Sequence, residues 1–255
     1  MHDTMTSEKR PVRTLGLSRT ADGRTVPSLR RRSVAAIRGS DEMVSWLATA
    51  AVTMLALFLR LWDLGKPRAF LFDETYYAKD AWSLIHNGYV LGYVSDANDK
   101  ILSGQSGPNL WTKDPSMVVH PEVGKWLIGA GEALFGMDPF GWRFASAVIG
   151  SLMIMVMVRT ARRMTGSTLL GVAAGLIMCF DGLHLVLSRL ALLDIFQAFF
   201  VLCAVSCLVA DRDWGRERLA RLAPDGVGAN SWGPVRGTLF RPWRVLAGVW
   251  FGLGL

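Results

Sequence analysis

The 255-residue sequence is poor in cysteine and in charged residues. Its three cysteines, Cys179, Cys203 and Cys207, all lie in apolar stretches, so we expect buried thiols rather than a disulfide framework or a thiolate metal site. Charged residues make up 19% of the chain and hydrophobic residues 51%. The hydrophobic residues form blocks close to the roughly 20 residues that a helix needs to cross a bilayer. The composition therefore predicts an integral membrane protein.

Acidic residues are scarcer than basic ones, 21 against 28, which leaves a net charge of +7. No zinc-finger spacing or RNA-binding aromatic motif accompanies this excess, so we expect no nucleic acid as a partner. Nine of the lysines and arginines precede residue 44, and seven arginines lie within 211–244. Both stretches flank apolar blocks, which is typical of cytoplasmic segments and of contact with membrane lipids.

Five apolar blocks follow the basic N-terminal stretch, which we interpret as a disordered cytoplasmic tail over 1–43. The blocks cover residues 44–59, 144–158, 168–187 and 190–210, and a fifth begins at 245. We predict an all-α membrane domain over 44–255. Because a spanning helix cannot end inside the bilayer, we expect the fold to be truncated here after about four to five transmembrane helices.

The positive-inside rule sets the predicted topology. It places 211–244 in the cytoplasm with the N-terminus, and makes 63–141 a long external loop. Within that loop, 122–137 predicts an amphipathic helix lying on the membrane surface. Its apolar face carries Val123, Trp126, Leu127, Ala130 and Leu134, and the opposite face carries Glu122, Lys125, Glu132 and several glycines.

Ionisable residues gather at the outer face in this topology, and such residues near membrane helices indicate function by default. They are Asp73, Glu74, His120, Lys125, Arg143, Asp181, His184, Arg189 and Asp194. An external active site is the simplest explanation for this convergence.

Two adjacent carboxylates, Asp73 and Glu74, stand among aromatic residues that include Tyr76 and Tyr77. Aromatic neighbours exclude water, which raises the pKa of a carboxyl group and makes it a better base, and they also suit sugar rings. The alternative is that Asp73 is an ordinary cap of a helix beginning at Glu74.

The remaining cations and Asp194 leave alternatives open. Lys125, in an amphipathic helix begun by Pro121, is placed either to bind a phosphate or to extend to lipid headgroups. Arg143 either binds phosphate or anchors its helix at the interface. Arg189 and Asp194 are five residues apart and do not share a helical face, so we interpret them as structural residues with partners on other helices.

Four motifs, FDETYYAKDAWSL, HPEVGKW, GWRFASAVIG and SRLALLDIF, occur in this order between apolar blocks. In this combination the sequence resembles the protein O-mannosyltransferases, especially their actinobacterial branch, over residues 55–255. The resemblance implies a multi-pass fold of the GT-C type. It also implies transfer of mannose from a polyprenyl-phosphate donor to Ser or Thr hydroxyls of exported proteins, near the secretion machinery of the plasma membrane.

The resemblance further implies roles for particular residues. Asp73 corresponds to the catalytic base, with Glu74 beside it, and His120, Lys125 and Arg143 to groups that bind the donor phosphate. Tyr76, Tyr77, Arg189 and Asp194 are possible support for the site. The family's His-Pro-Pro-Leu-Gly-Lys run is changed here at Glu122 and Val123. No metal and no cofactor are expected, because the lipid-linked sugar is a substrate and cationic side chains can stabilise the leaving phosphate.

Other functions are compatible with parts of this pattern. A related GT-C transferase would use a lipid or glycan acceptor. The chain alone would be inactive if the missing helices complete the donor groove. A transporter or structural subunit would spread polar residues through the bilayer midplane, whereas here most of them lie near one face.

Overall fold

The computed structural model describes residues 17–19, 25–27, 29–116, 119–222 and 240–255, with side chains from residue 41 onward. The chain is mostly helical, as the sequence predicts for an all-α membrane protein. The helices are α1 (Leu29–Leu61), α2 (Glu74–Asn87), α3 (Ala97–Leu102), α4 (Glu122–Phe135), α5 (Pro139–Thr165), α6 (Thr168–Phe180), α7 (Gly182–Leu187), α8 (Leu193–Leu222) and α9 (Pro242–Leu253). The strands are β1 (Leu17–Arg19), β2 (Thr25–Pro27), β3 (Leu91–Tyr93) and β4 (Trp111–Pro115), and a 3₁₀ turn covers Pro108–Leu110.

The chain divides into two compact units, residues 1–47 and 48–255. In the first unit, β1 pairs antiparallel with β2. The tail was predicted over 1–43, and its residues 1–16, 20–24 and 28 lie outside the described residues. Where the structure describes the remainder, α1 begins at Leu29, well before the apolar block at Val44. The intervening residues include alanines and arginines, which favour helix, so the helix extends beyond its apolar part.

Within the part of the chain that the structure describes, three helices are long and apolar enough to cross a membrane: Asp41–Leu61, Pro139–Thr165 and Leu193–Arg221. The predicted third block, 168–187, is not one helix. It breaks at Asp181, where the backbone is extended and the carboxylate caps α7 by accepting a 2.8 Å hydrogen bond from the His184 amide. An aspartate competes for backbone donors and favours such caps over helix interiors. The fifth block corresponds to α9.

Glycines allow the helices of the second unit to pack closely. A β-carbon at Gly175 of α6 would lie 2.2 Å from Val158 of α5, and one at Gly141 would lie 2.0 Å from the Gly136 carbonyl oxygen. The largest core cluster is built mainly from α2, α4, α5 and α8, and includes Tyr77, Ile128, Trp142 and Phe196. All three cysteines are buried free thiols, as predicted.

Helix α4 confirms the predicted helix, but part of its polar face packs inside the protein instead of facing outward. Lys125 and Glu132, on the polar face, are fully buried together with the glycines. Trp126 and Leu134, on the apolar face, are 45% and 73% exposed. The glycine face packs against the protein because it permits close approach: a β-carbon at Gly129 would lie 3.1 Å from the Ala81 carbonyl oxygen.

Candidate active site

Glu74 begins α2 and is fully buried. Its Oε1 accepts a 2.8 Å hydrogen bond from Arg143 Nε, and its Oε2 accepts a 2.7 Å bond from Arg143 Nη2. The backbone amides of Leu71 and Ala191 donate to the same carboxylate at 3.0 Å each. One carboxylate therefore joins the start of α2, the first turns of α5 and the segment that leads into α8.

Arg143 is 1% exposed, and all three of its guanidinium nitrogens are engaged. Besides Glu74, it donates to the carbonyl oxygens of Leu64, Pro67 and Ala69 at 3.2, 3.1 and 2.9 Å. A buried, bidentate ion pair with these extra bonds is strongly directional. Binding a donor phosphate would require Arg143 to give up part of this network.

Lys125 is also buried, and its ammonium group lies 2.8 Å from Asp80 Oδ2 in an ion pair. The hydroxyl of Tyr93 donates to the other oxygen of Asp80 at 3.4 Å. Sequence reasoning placed Lys125 at the membrane surface and overlooked Asp80. The sequence did indicate that Asp80 could be buried, because it follows Tyr77 by three residues and so shares the buried face of α2.

Asp73 behaves differently from its neighbour Glu74. It occupies the N-cap position of α2, as the alternative interpretation predicted, but its side chain makes no capping hydrogen bond. The carboxylate is exposed, and its Oδ2 accepts a 3.5 Å hydrogen bond from the Tyr77 hydroxyl. The expected loss of water among aromatic residues applies to Glu74 rather than Asp73. Asp73 is the carboxylate of the pair that a substrate can reach.

A cavity of about 180 Å³ lies beside Tyr77. Its lining residues are Tyr77, His120, Pro121, Gly124, Leu193, Asp194, Phe196, Gln197, Phe200, Leu253, Gly254 and Leu255. The rings of Tyr77 and His120 meet edge to face with centroids 5.9 Å apart. Burial raises the pKa of the Tyr77 hydroxyl, and the negative charges of Asp73 and Asp194 raise it further. Tyr77 is therefore a neutral donor between two carboxylates.

Asp194 and Arg189 do not pair with each other, which agrees with their spacing. Arg189 donates to the carbonyl oxygens of Leu59 and Trp62 at 3.0 and 2.8 Å, at the end of α1. Asp194 is exposed at the start of α8 and lines the cavity, and within the described ranges it has no ion pair with another helix. Gln197, which sequence reasoning left unassigned, lies one turn further on. Asp194 and Gln197 are polar residues within an apolar block, and this interruption is the feature of the sequence that could have identified Gln197.

The structure thus divides the predicted site residues into two groups. Asp73, Tyr77, His120 and Asp194 lie at or beside the cavity, whereas Tyr76 is 60% exposed and does not line it. Glu74, Lys125 and Arg143 are buried in ion pairs behind it. The arrangement offers an accessible carboxylate, a neutral hydroxyl donor and an imidazole beside a small cavity.

Comparison with known proteins gives consistent matches. The family model described as dolichyl-phosphate-mannose-protein mannosyltransferase matches residues 50–218. A polyprenol-phosphate-mannose–protein mannosyltransferase of Mycolicibacterium smegmatis is 41% identical over 217 residues, which cover 84% of this chain and 38% of the relative. The protein of the same name from Mycobacterium tuberculosis is 39% identical over 220 residues, with the same coverage.

The human protein O-mannosyl-transferase 1 is a more distant relative, 29% identical over 166 residues that cover 62% of this chain and 20% of the human protein. No solved structure matches the chain. The chain spans 38% of the length of the mycobacterial relatives. Since the family model covers well over half of its residues, the chain belongs to the dolichyl-phosphate-mannose-protein mannosyltransferase family.

Proposed function

We propose that this chain provides the acceptor-activating part of a membrane glycosyltransferase, which moves mannose from a polyprenyl-phosphate donor to Ser or Thr hydroxyls of exported proteins. The names of the relatives support the donor and the protein acceptor. The proposal rests mainly on Asp73. Its carboxylate is exposed, makes no capping hydrogen bond to α2 and lies beside the Tyr77 cavity. Its neighbour Glu74 is excluded from that task by four hydrogen bonds.

The proposed reaction is an inverting transfer with Asp73 as the general base. Asp73 accepts the proton of the acceptor hydroxyl while the hydroxyl oxygen forms a bond to the anomeric carbon of mannose. The bond from that carbon to the phosphate oxygen breaks, and polyprenyl phosphate leaves with the electron pair. Tyr77, which donates to one oxygen of Asp73, orients the carboxylate. A positioned base of this kind contributes a factor of about 10² to 10⁴ to the rate.

Arg143 and Lys125 are buried next to this site and hold α2 in position through ion pairs. Arg143 fixes Glu74 and thereby the backbone of the adjacent Asp73, and Lys125 fixes Asp80 almost two turns further along α2. Direct contact of either cation with the donor phosphate stays a prediction, and each would have to leave its carboxylate. Among the predicted phosphate contacts, His120 is the one that lines the cavity. The proposal includes no metal or cofactor.

The membrane placement of this site is also part of the proposal. The basic segments favour a cytoplasmic N-terminus and a cytoplasmic 211–244 loop in the plasma membrane. The cavity beside Asp73 then faces the exterior, where exported proteins emerge. The exposed apolar residues of α4, Trp126 and Leu134, would lie in the outer lipid boundary.

The test is transfer of labelled mannose from polyprenyl-phosphate mannose to a Ser/Thr-rich peptide by the reconstituted chain. The Asp73→Asn variant should lose at least a factor of 100 in transfer rate, because its amide cannot accept the proton. Asp99→Asn is the matched control, since Asp99 is an exposed carboxylate on α3, and it should keep the wild-type rate.

Three outcomes would contradict the proposal. Wild-type protein that transfers no mannose to the peptide would remove the activity from this chain, and label found in lipid instead would indicate a lipid acceptor. An Asp73→Asn variant with the rate of wild type would remove Asp73 from the role of base.

A further inference from the structure

A second cavity lies at the opposite end of α8 from the Tyr77 cavity and has a volume of about 530 Å³. Its lining residues are Leu208, Asp211, Arg212, Gly215, Arg216, Leu219, Arg241 and Arg244. Asp194 and Asp211 are 17 residues apart on one helix, which corresponds to about 26 Å along its axis. The two cavities are therefore separated by nearly the thickness of a bilayer core, about 30 Å.

Asp211 organises this second cavity. Its carboxylate is nearly fully buried and accepts hydrogen bonds from Arg241 Nε at 2.8 Å and from Arg244 Nε at 2.9 Å. Arg241 also donates to the backbone oxygen of Asp211 at 3.3 Å. Gly215 leaves room for the guanidinium group of Arg241, because a β-carbon at residue 215 would lie 2.9 Å from Arg241 Nη2. Arg241, at the N-cap of α9, and Arg244, in its first turn, are thus held against α8.

The cavity carries an excess of positive charge. Among the described residues, four guanidinium groups line it together with one carboxylate, that of Asp211. Asp213 binds Arg212 at 3.0 Å from outside the lining, so the excess persists when Asp213 is counted. Arg216 is exposed, and Arg244 uses its Nε for Asp211 while 62% of its side chain remains exposed. These groups are available to an anion.

The cavity also straddles the boundary between apolar and polar sequence. Asp211 is the first charged residue after the apolar stretch of α8, and Leu208, on the apolar side, is 51% exposed. Trp214 lies at the same level, with the Arg218 guanidinium 5.0 Å from the centre of its ring. Tryptophan and arginine at the end of an apolar helix are typical of the headgroup region. An exposed leucine beside the arginines suits an acyl chain, which a soluble anion lacks.

We propose that this cavity binds the phosphate group of an anionic membrane lipid, in the leaflet opposite the Tyr77 cavity. Arg216 and Arg244 contact the phosphate, Arg241 is positioned by Asp211 and Gly215, and Leu208 contacts the lipid chain. The site is independent of mannose transfer, because it lies at the other end of α8.

The test uses the full chain in detergent with added phosphatidylglycerol or phosphatidylcholine, and native mass spectrometry to measure the bound lipid. Wild-type protein should retain phosphatidylglycerol in preference to phosphatidylcholine. Each interfacial arginine contributes a factor of about five to the binding of anionic lipid. Arg216→Gln, which removes none of the bonds to Asp211, should therefore weaken phosphatidylglycerol binding about fivefold, and Arg216→Gln with Arg244→Gln about 25-fold.

Arg221→Gln is the matched control, because Arg221 is exposed on the same helix outside the cavity, and it should bind phosphatidylglycerol like wild type. Equal retention of the two lipids would show that the anionic headgroup is not selected. An equal loss of binding in Arg221→Gln would indicate diffuse attraction between charges, and either result would overturn the proposal. A third arm adds inorganic phosphate alone. If phosphate displaces phosphatidylglycerol and binds as tightly without lipid, the ligand is a soluble anion and the lipid assignment fails.

Discussion

Replacement of Arg143 by methionine should destabilise the protein more than any surface substitution. Methionine fills much of the same volume but leaves the buried Glu74 carboxylate without its cation. It also removes the donor to the carbonyl oxygens of Leu64, Pro67 and Ala69. Glu74 keeps its two backbone amide donors, which offset part of the loss.

The magnitude follows from the burial of both partners, which are 1% and 0% exposed. Removal of one partner of a buried ion pair costs about 3–5 kcal/mol. Because 1 kcal/mol shifts the unfolding midpoint of a chain of this size by about 2–4 °C, Arg143→Met should lower the midpoint by about 10 °C. The double variant with Glu74→Gln should be less destabilised than the sum of the single variants by about 2 kcal/mol or more.

Thermal unfolding in detergent, followed by tryptophan fluorescence, measures these midpoints. The control is Lys66→Met, which breaks the ion pair with Asp63. Those side chains are 73% and 52% exposed, and an exposed pair contributes less than about 1 kcal/mol. Additive effects of Arg143→Met and Glu74→Gln, or a midpoint shift no larger than that of Lys66→Met, would refute the structural role of this pair.

Three further predictions concern the interior around α4. Glu132 is fully buried, neither of its oxygens has a partner among the described residues, and burial raises its pKa well above the usual value. The folded state therefore keeps the proton that the unfolded state loses, so stability should fall as pH rises above about 4.5 by up to about 1.4 kcal/mol per unit. Glu132→Gln should remove this slope and raise the midpoint at pH 7, which unfolding curves across pH will show. Asp80→Asn should lower the midpoint by several degrees by leaving Lys125 buried without a counter-charge, and a midpoint equal to wild type would contradict this. Gly141→Ala should be destabilising because its β-carbon would meet the Gly136 carbonyl oxygen, whereas Gly248→Ala, with open space around it, should leave the midpoint unchanged or slightly higher.

The sequence predicted the long helices of this fold better than the contacts that individual side chains make. The apolar blocks identify α1, α5 and α8, which contain the three candidate membrane spans of the described residues, because length and hydrophobicity suffice for that purpose. Asp181 also interrupts an apolar block in the sequence. A single polar residue, however, does not show whether the helix continues with that side chain paired in the interior or ends there.

The faces of α4 could not be predicted from amphipathicity alone. The usual pattern assumes that polar residues meet water and apolar residues meet the core. Here the glycines permit close packing, Asp80 lies 45 residues away in sequence and neutralises Lys125, and Trp126 and Leu134 remain exposed. The same limit applies to Asp73 and Glu74, since which of two adjacent carboxylates is buried depends on Arg143, 69 residues away.

The most direct test of the account compares mannose transfer by Asp73→Asn and Glu74→Gln at a temperature well below both unfolding midpoints, normalised to folded protein. We expect Asp73→Asn to lose transfer by at least a factor of 100 while keeping a wild-type midpoint. We expect Glu74→Gln to recover a measurable part of the wild-type rate once it is folded. Wild-type transfer by Asp73→Asn, or an equal and complete loss in fully folded Glu74→Gln, would contradict the division of tasks between the two carboxylates.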